Sequence, residues 1–213
     1  MASISVNVFE PVVGKAAEAV GLVKEAQEIL TGLGNKVQVA QLVRGGVPGQ
    51  LSVIVENADA AAYGASLDKL NADEGFQSFM LRAAAAAAAV PVRSVDYAEL
   101  PGLEANFDDL AGSRVIMASL FIIREGQLER SVERIGRWKA ISEKHGAKCR
   151  ALQSIASDPA FVTATIGYYE NFTEWGRIGQ ALGTDPDWQA FAGEIRGADA
   201  SADFLRTSLM QII

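Results

Sequence analysis

One segment of this chain occurs twice. Tyr63-Gly64, Leu70, Asp73, Phe76-Gln77 and Phe79 are matched by Trp175-Gly176, Leu182, Asp185, Trp188-Gln189 and Phe191, a constant offset of 112 positions (176 − 64). Without a gap, the same offset pairs Ile4 with Ile116, Phe9 with Phe121, Gly34 with Gly146, Lys36 with Lys148, Gln41 with Gln153 and Ile54 with Ile166. Roughly one position in six is identical over about a hundred residues, and the identities sit at element boundaries and core positions, as in an internal duplication. The 213 residues therefore divide into two units, 1–100 and 113–213, joined by a linker over 101–112. Whatever one unit folds into, the other must fold into as well.

Hydrophobic period gives the order of elements within each unit. Residues 3–9 alternate, with Ile4, Val6 and Val8 on one face and Ser3, Ser5 and Asn7 on the other, which predicts a half-buried strand. Residues 15–32 switch to a helical stripe of Val20, Val23, Ala26, Ile29 and Leu30, stopped by Gly32 and Gly34. Strands over 36–44 and 51–55 flank the turn Gly45-Gly46-Val47-Pro48-Gly49. A second helix starts from Asp59 as N-cap, breaks near 71–75 and resumes through the alanine run to about residue 88, before a last strand over 90–99. The second unit repeats this order: strand 114–123, helix 127–144, strands 147–154 and 160–169, helix 173–198 broken at Asp185-Pro186, and strand 202–211. Two successive βαββαβ units are two ferredoxin-like plaits, an α+β architecture with helices on one face of each antiparallel sheet.

Composition removes several function classes. With 49% apolar and 21% charged residues the chain has material for a core and none of the signature of disorder. One Cys and one His exclude an intramolecular disulfide, a cysteine cluster and a site of several histidines within one chain. The net charge of −7 disfavours nucleic acid and anionic lipid. The acid is uneven: residues 1–112 hold 7 Lys+Arg against 14 Asp+Glu, and 113–213 hold 12 against 12. No export signal and no apolar run of the ~18 residues needed to span a membrane is visible, so a cytoplasmic protein is expected.

On element order, the broken second helix and the repeated aromatic-Gly to aromatic-Gln-x-Phe segment, the sequence resembles the dimeric α+β barrel superfamily. The resemblance implies tandem ferredoxin-like βαββαβ units fused in one chain, their antiparallel sheets packed as a pseudo-dimeric α+β barrel. It also implies a range of activities: cofactor-independent monooxygenases, muconolactone-type isomerases, polyketide cyclases and haem-binding chlorite dismutase relatives. The haem-degrading branch uses an Asn on the first strand with a Trp and a His around the second helix. Asn7 matches the first, Tyr63 stands loosely for the aromatic, no His occurs between 64 and 90, and Ser119 replaces the Asn in the second unit.

Polar side chains on strands are the candidates for ligand contact, because burying one without a partner is costly. They are Asn7, Gln41, Arg44, Tyr97, Gln153, Tyr168 and Arg206. Gln41 and Gln153 match each other; at the constant offset Asn7, Arg44, Tyr97, Tyr168 and Arg206 face Ser119, Ala156, Leu209, Glu56 and Ser94. His145, in Lys144-His145-Gly146, reads as a helix C-cap, Cys149 as an inert buried thiol, and the pairs Tyr63/Trp175, Phe76/Trp188 and Phe79/Phe191 as core packing. The expectation is a small-molecule-binding protein for an apolar or aromatic metabolite, with no cofactor and no metal, whose chemistry is that of a cofactor-independent monooxygenase, isomerase or cyclase. The alternative is a non-catalytic assembly or interaction module of the same fold, paired within the chain or as a homodimer.

Overall fold

The alternation at the N-terminus becomes β1 (Ser3–Pro11), and the change of period becomes α1 (Ala16–Gly32), whose buried stripe is Ala19, Val23 and Leu30. The computed structural model describes residues 1–156, 162–197 and 199–213. The predicted strand start at Ala160 and helix end at Ala198 lie outside the described residues. Gly34, at φ +94°, makes the left-handed turn that ends α1, and Gly146, at φ +97°, does the same one repeat later. The first unit continues through β2 (Lys36–Arg44), β3 (Leu51–Asn57), α2 (Ala60–Ala72), α3 (Glu74–Ala86) and β4 (Ala89–Glu99). The second runs β5 (Val115–Ile123), α4 (Leu128–Lys144), β6 (Lys148–Ala156), β7 (Val162–Tyr169), α5 (Phe172–Thr184), α6 (Pro186–Arg196) and β8 (Ala202–Ile212).

Each helix pair breaks where an Asp caps the next helix. Asp73 accepts from Phe76 N at 2.6 Å, and Asp185 accepts from Asp187 N at 2.7 Å and Trp188 N at 3.3 Å, with Pro186 pre-set in the first turn of α6. Asp59 caps α2 through Ala62 N at 2.8 Å, as predicted.

Chain contacts divide the molecule into Met1–Ala98 with Ile212–Ile213, and Glu99–Gln211. The segment read as a linker belongs to the second unit: Leu100 N donates to Ala151 O, Leu100 and Leu110 are buried, and Phe107–Leu110 forms a short 3-10 turn. The first unit's strand order is β4-β1-β3-β2 and the second's is β8-β5-β7-β6, antiparallel throughout. Within each unit one sheet face carries the helices. In the first, Val39, Leu51, Val53 and Val55 meet Ala19, Val23 and Leu30; in the second, Cys149, Ala151 and Tyr169 meet Ile135, Trp138, Ile178 and Phe191. Truncating a fully buried residue such as Leu51 or Ile178 to Ala costs about 2–5 kcal/mol by lost transfer energy and cavity formation.

Two features depart from simple alternation. Ser3 and Ser5, on the polar side of β1, are buried, and Ser5 Oγ donates to Asp96 at 2.5 Å, so both faces of this strand are covered at its start. The last strands match at an offset of 113 rather than 112: Ser5 pairs Asp96 while Met117 pairs Leu209, and Val8 pairs Arg93 while Leu120 pairs Arg206. Arg206 therefore has Arg93, not Ser94, as its counterpart, and Tyr97 has Met210, not Leu209. The extra residue lies between the second helix pair and β8.

Candidate functional site

A cavity of about 510 Å³ lies inside the second unit, between the helix-covered face of the sheet and helices α4 and α6. Strands supply its floor through Met117 and Ser119 of β5, Thr163 and Thr165 of β7, and Thr207 of β8. These side chains share one face because alternate residues of a strand point the same way, and the β5–β7 register sets Ser119 opposite Thr165 and Phe121 opposite Thr163. Helices supply the walls through Ser131, Arg134 and Trp138 of α4, spaced one and two turns apart, and Trp188, Phe191 and Ile195 of α6. Phe204 and Arg196, both exposed, mark the side open to solvent.

The polar groups are hydroxyls and guanidinium groups. Ser119 Oγ and Thr207 Oγ1 share a hydrogen bond of 2.7 Å, Thr163 Oγ1 donates weakly to Phe121 O at 3.5 Å, and Ser131 Oγ donates to Ser201 O at 3.1 Å. Arg134 is buried and donates to Asp199 O at 3.0 Å. Phe121 and Phe204 pack edge to face at 5.6 Å, and Trp188 and Phe191 tilt against each other at 5.8 Å. Behind Phe191 the Arg137 guanidinium stands 5.7 Å from the ring and binds both oxygens of Glu194. Among the described residues no Asp, Glu, His, Cys, Lys or Tyr lines the cavity. The arrangement is able to hold a flat ring system, donate hydrogen bonds to it and stabilise negative charge.

None of the seven residues singled out from sequence lines this cavity. Asn7 is on the helix side of β1, accepting from Ser94 Oγ at 2.8 Å. Tyr97 is on the opposite face of the first sheet, buried, accepting from Arg93 Nη2 at 3.0 Å. Gln41 and Gln153 are half-buried at matching places on β2 and β6, Arg44 is exposed at the end of β2, Tyr168 is buried on β7, and Arg206 is exposed on β8. The structure does not bring the four first-unit candidates to one point. Trp188 and Phe191 do pack in the core, and they also form the cavity wall.

The residues that do line it carry a signal in the repeat. Thr163, Thr165, Ser131 and Arg134 stand where the first unit has Leu51, Val53, Ala19 and Leu22. Those four pack in or against the first unit's core. A buried, helix-facing position that is apolar in one copy and polar in the other is the signal.

His145 and Cys149 lie outside the cavity wall. His145 is the C-cap residue of α4, with Nε2 2.6 Å from Asp185 Oδ2, and Lys144 Nζ reaches the same oxygen at 2.9 Å. Hydrogen bonds from Lys144 and then His145 hold the Asp185 carboxyl well below the usual carboxylate range. Burial pushes the Cys149 thiol up to about 12, which removes it as a nucleophile at neutral pH. Among the described residues no group of three His, Cys, Asp or Glu side chains is placed to hold a metal, and no helix is long and apolar enough to cross a membrane.

No protein-family model and no curated protein sequence matches the chain. Solved structures do. One described as an anthrone oxidase-like protein has a TM-score of 0.61 at 12% identity, covering 100% of this chain and 91% of that one. A protein of Fusobacterium nucleatum subsp. nucleatum, provisionally named a monooxygenase, gives 0.65 at 10% identity, covering 99% and 92%. A heme-binding protein from Thermus thermophilus gives 0.54 at 12% identity, covering 100% and 91%. The chain has the dimeric α+β barrel fold. At these identities the likeness establishes the fold and leaves the chemistry to the site.

The heme-binding neighbour sets a test for this cavity. Haem iron takes an axial imidazole, thiolate, thioether or phenolate. The wall has no His, Cys or Tyr among the described residues, and its one soft donor, Met117 Sδ, accepts from Trp175 Nε1 at 3.5 Å. The residues present do not fit haem.

Proposed function

We propose that this protein binds an aromatic metabolite in the cavity of its second unit and oxygenates it without a cofactor. The observation that carries the reading is the cavity itself: about 510 Å³, walled by Trp138, Trp188, Phe121 and Phe191 over a floor of hydroxyls, within the range of small-molecule sites. The choice of chemistry follows from the absence of a carboxylate or imidazole on the described wall. Isomerisation and cyclisation ask for a positioned base. Oxygenation of an acidic substrate asks only that a carbanion be held. A benzylic CH₂ loses its proton to solvent, the resulting anion gives electrons to O₂, one oxygen atom remains on carbon as C=O and the other leaves as water.

The name of the anthrone oxidase-like neighbour suggests anthrone as the first probe. The expected result is uptake of one O₂ per anthrone with quinone as product, and loss of that activity in T165F, which fills the cavity floor. Oxygen uptake at the rate of buffer alone would sink the oxygenase reading. Binding of anthrone without turnover would leave a ligand-binding module.

A further inference from the structure

We infer that the cavity is built for an organic anion, a flat aromatic body bearing an oxyanion that Arg134 receives. This rests on the cavity being the ligand site proposed above and names the class of ligand it selects.

The first observation is the state of Arg134. It lies on α4, lines the cavity and is only 7% exposed. Of the five N–H donors of its guanidinium, one bond is formed among the described residues, from Nη1 to the backbone carbonyl of Asp199 at 3.0 Å. That acceptor is a neutral amide. Glu194, on α6 packed against α4, attracts Arg134 through space, but both its oxygens are bound by Arg137 at 2.7 and 3.1 Å. A buried cation whose direct bond is to a neutral carbonyl is expensive, and it is kept where something else supplies a charge in contact with it. Arg196 adds a second cation at the solvent side, and among the described residues no acidic side chain lines the cavity to balance either one.

The second observation is internal to the chain. The same helix positions in the first unit hold Leu22 and Ala84, and the same strand positions hold Leu51 and Val53. This fold therefore does not require a cation or a hydroxyl there. The second unit has placed two guanidinium groups and two threonine hydroxyls on one cavity, inside a chain whose net charge is −7. A planar guanidinium binds a carboxylate or sulfonate through two parallel N–H bonds and an enolate through bonds to its single oxygen, and the tryptophans of the wall take the rings.

Two dyes separate the charge from the rings: anilinonaphthalene sulfonate and phenylnaphthylamine share the same ring system and differ by the sulfonate. Energy transfer from tryptophan locates the bound dye, since Trp138 and Trp188 form the wall and Trp175 touches Met117 on the floor. The first unit supplies the substitutions, R134L from Leu22 and R196A from Ala84. The sulfonate should bind at least about tenfold more tightly than the neutral dye, R134L should remove that preference while leaving the neutral dye within about twofold, and salt should weaken the sulfonate alone. Where R134L does not fold, R196A at its exposed position decides: a selective loss of sulfonate affinity supports the inference and unchanged affinity overturns it. Equal binding of the two dyes, or an equal loss of both in R134L, overturns the anion and leaves the cavity as a site for neutral aromatics. Failure of both dyes to bind overturns the cavity as a ligand site and the anion with it.

Discussion

Ser119 and Thr207 share a 2.7 Å hydrogen bond between hydroxyls on the cavity floor, and in the first unit Asn7 and Ser94 form the same bond at 2.8 Å from the same register positions of β1 and β4. The polar pair is thus common to both copies, and what distinguishes the second is the polar surface around it. S119A and T207V should each cost about 1 kcal/mol, and the double variant should show a coupling of about 0.5–1.5 kcal/mol in urea unfolding. Additive losses would mean that each hydroxyl is satisfied by solvent rather than by the other.

Element order is readable from sequence because period and punctuation are local. Asp59, Asp73 and Asp185 announce helix starts, and Gly34 and Gly146 announce helix ends, from their own side chains or lack of one. The cavity is harder to see. Thr163 and Thr165 suit any strand, and Arg134 suits any helix surface; only the comparison with Leu51, Val53 and Leu22 shows that these are core positions. The constant offset also misleads at the end of the repeat. One extra residue before β8 moves every match in the last strand, which is why the offset sets Arg206 against Ser94 while the sheet sets it against Arg93. The repeat carries a further regularity that composition hides. Glu25 of α1 pairs with Arg82 of α3, and at the matching positions Arg137 of α4 pairs with Glu194 of α6, so the ion pair is kept with its charges exchanged.

Glu99 and Arg150 form a buried ion pair that fastens the segment after β4 to β6. Arg150 Nε donates to Glu99 Oε1 at 2.9 Å, the two side chains are 5% and 2% exposed respectively for Glu99 and Arg150, and the same oxygen accepts from Ala105 N at 3.0 Å. R150M leaves the Glu99 carboxylate charged in the core and should destabilise by about 3–5 kcal/mol in chemical denaturation, and E99A, which takes one partner from Arg150, should destabilise as well. E99L/R150M should recover part of that loss. E99A should also open the segment over 100–112 to limited proteolysis under conditions where the wild type resists.

Asp185 ties the end of α4 to the start of α6. Lys144 foremost, then His145, lower its carboxyl pKa, helped by the backbone N–H groups of Asp187 and Trp188 and opposed by burial. The folded state therefore holds the carboxyl proton less tightly than the unfolded chain does. The resulting stability is present above the ordinary carboxylate value of about 3.9 and is lost as pH falls below it toward the folded value. D185N keeps a good N-cap and removes the charge. Its urea midpoint should lie below that of the wild type near neutral pH, and the gap should narrow below about pH 4. A gap that stays constant into acid would reduce Asp185 to a neutral cap.

Cys149 gives the opposite pH dependence. It is 2% exposed on β6, and burial first, then Glu143, raises its thiol to about 12. In the unfolded chain the thiol ionises at its ordinary value of about 8.5. Between these values the unfolded state sheds a proton that the folded state keeps, so stability falls as pH rises. The first unit has Val37 at this position, which makes C149V the variant least disturbing to packing. The wild type should lose stability relative to C149V from about pH 8 upward, read as diverging urea midpoints. The thiol should also react with an aromatic disulfide reagent only at the rate of unfolding. Rapid labelling of the folded protein at about pH 8 would show that β6 opens locally, and the thiol would then belong to the accessible surface.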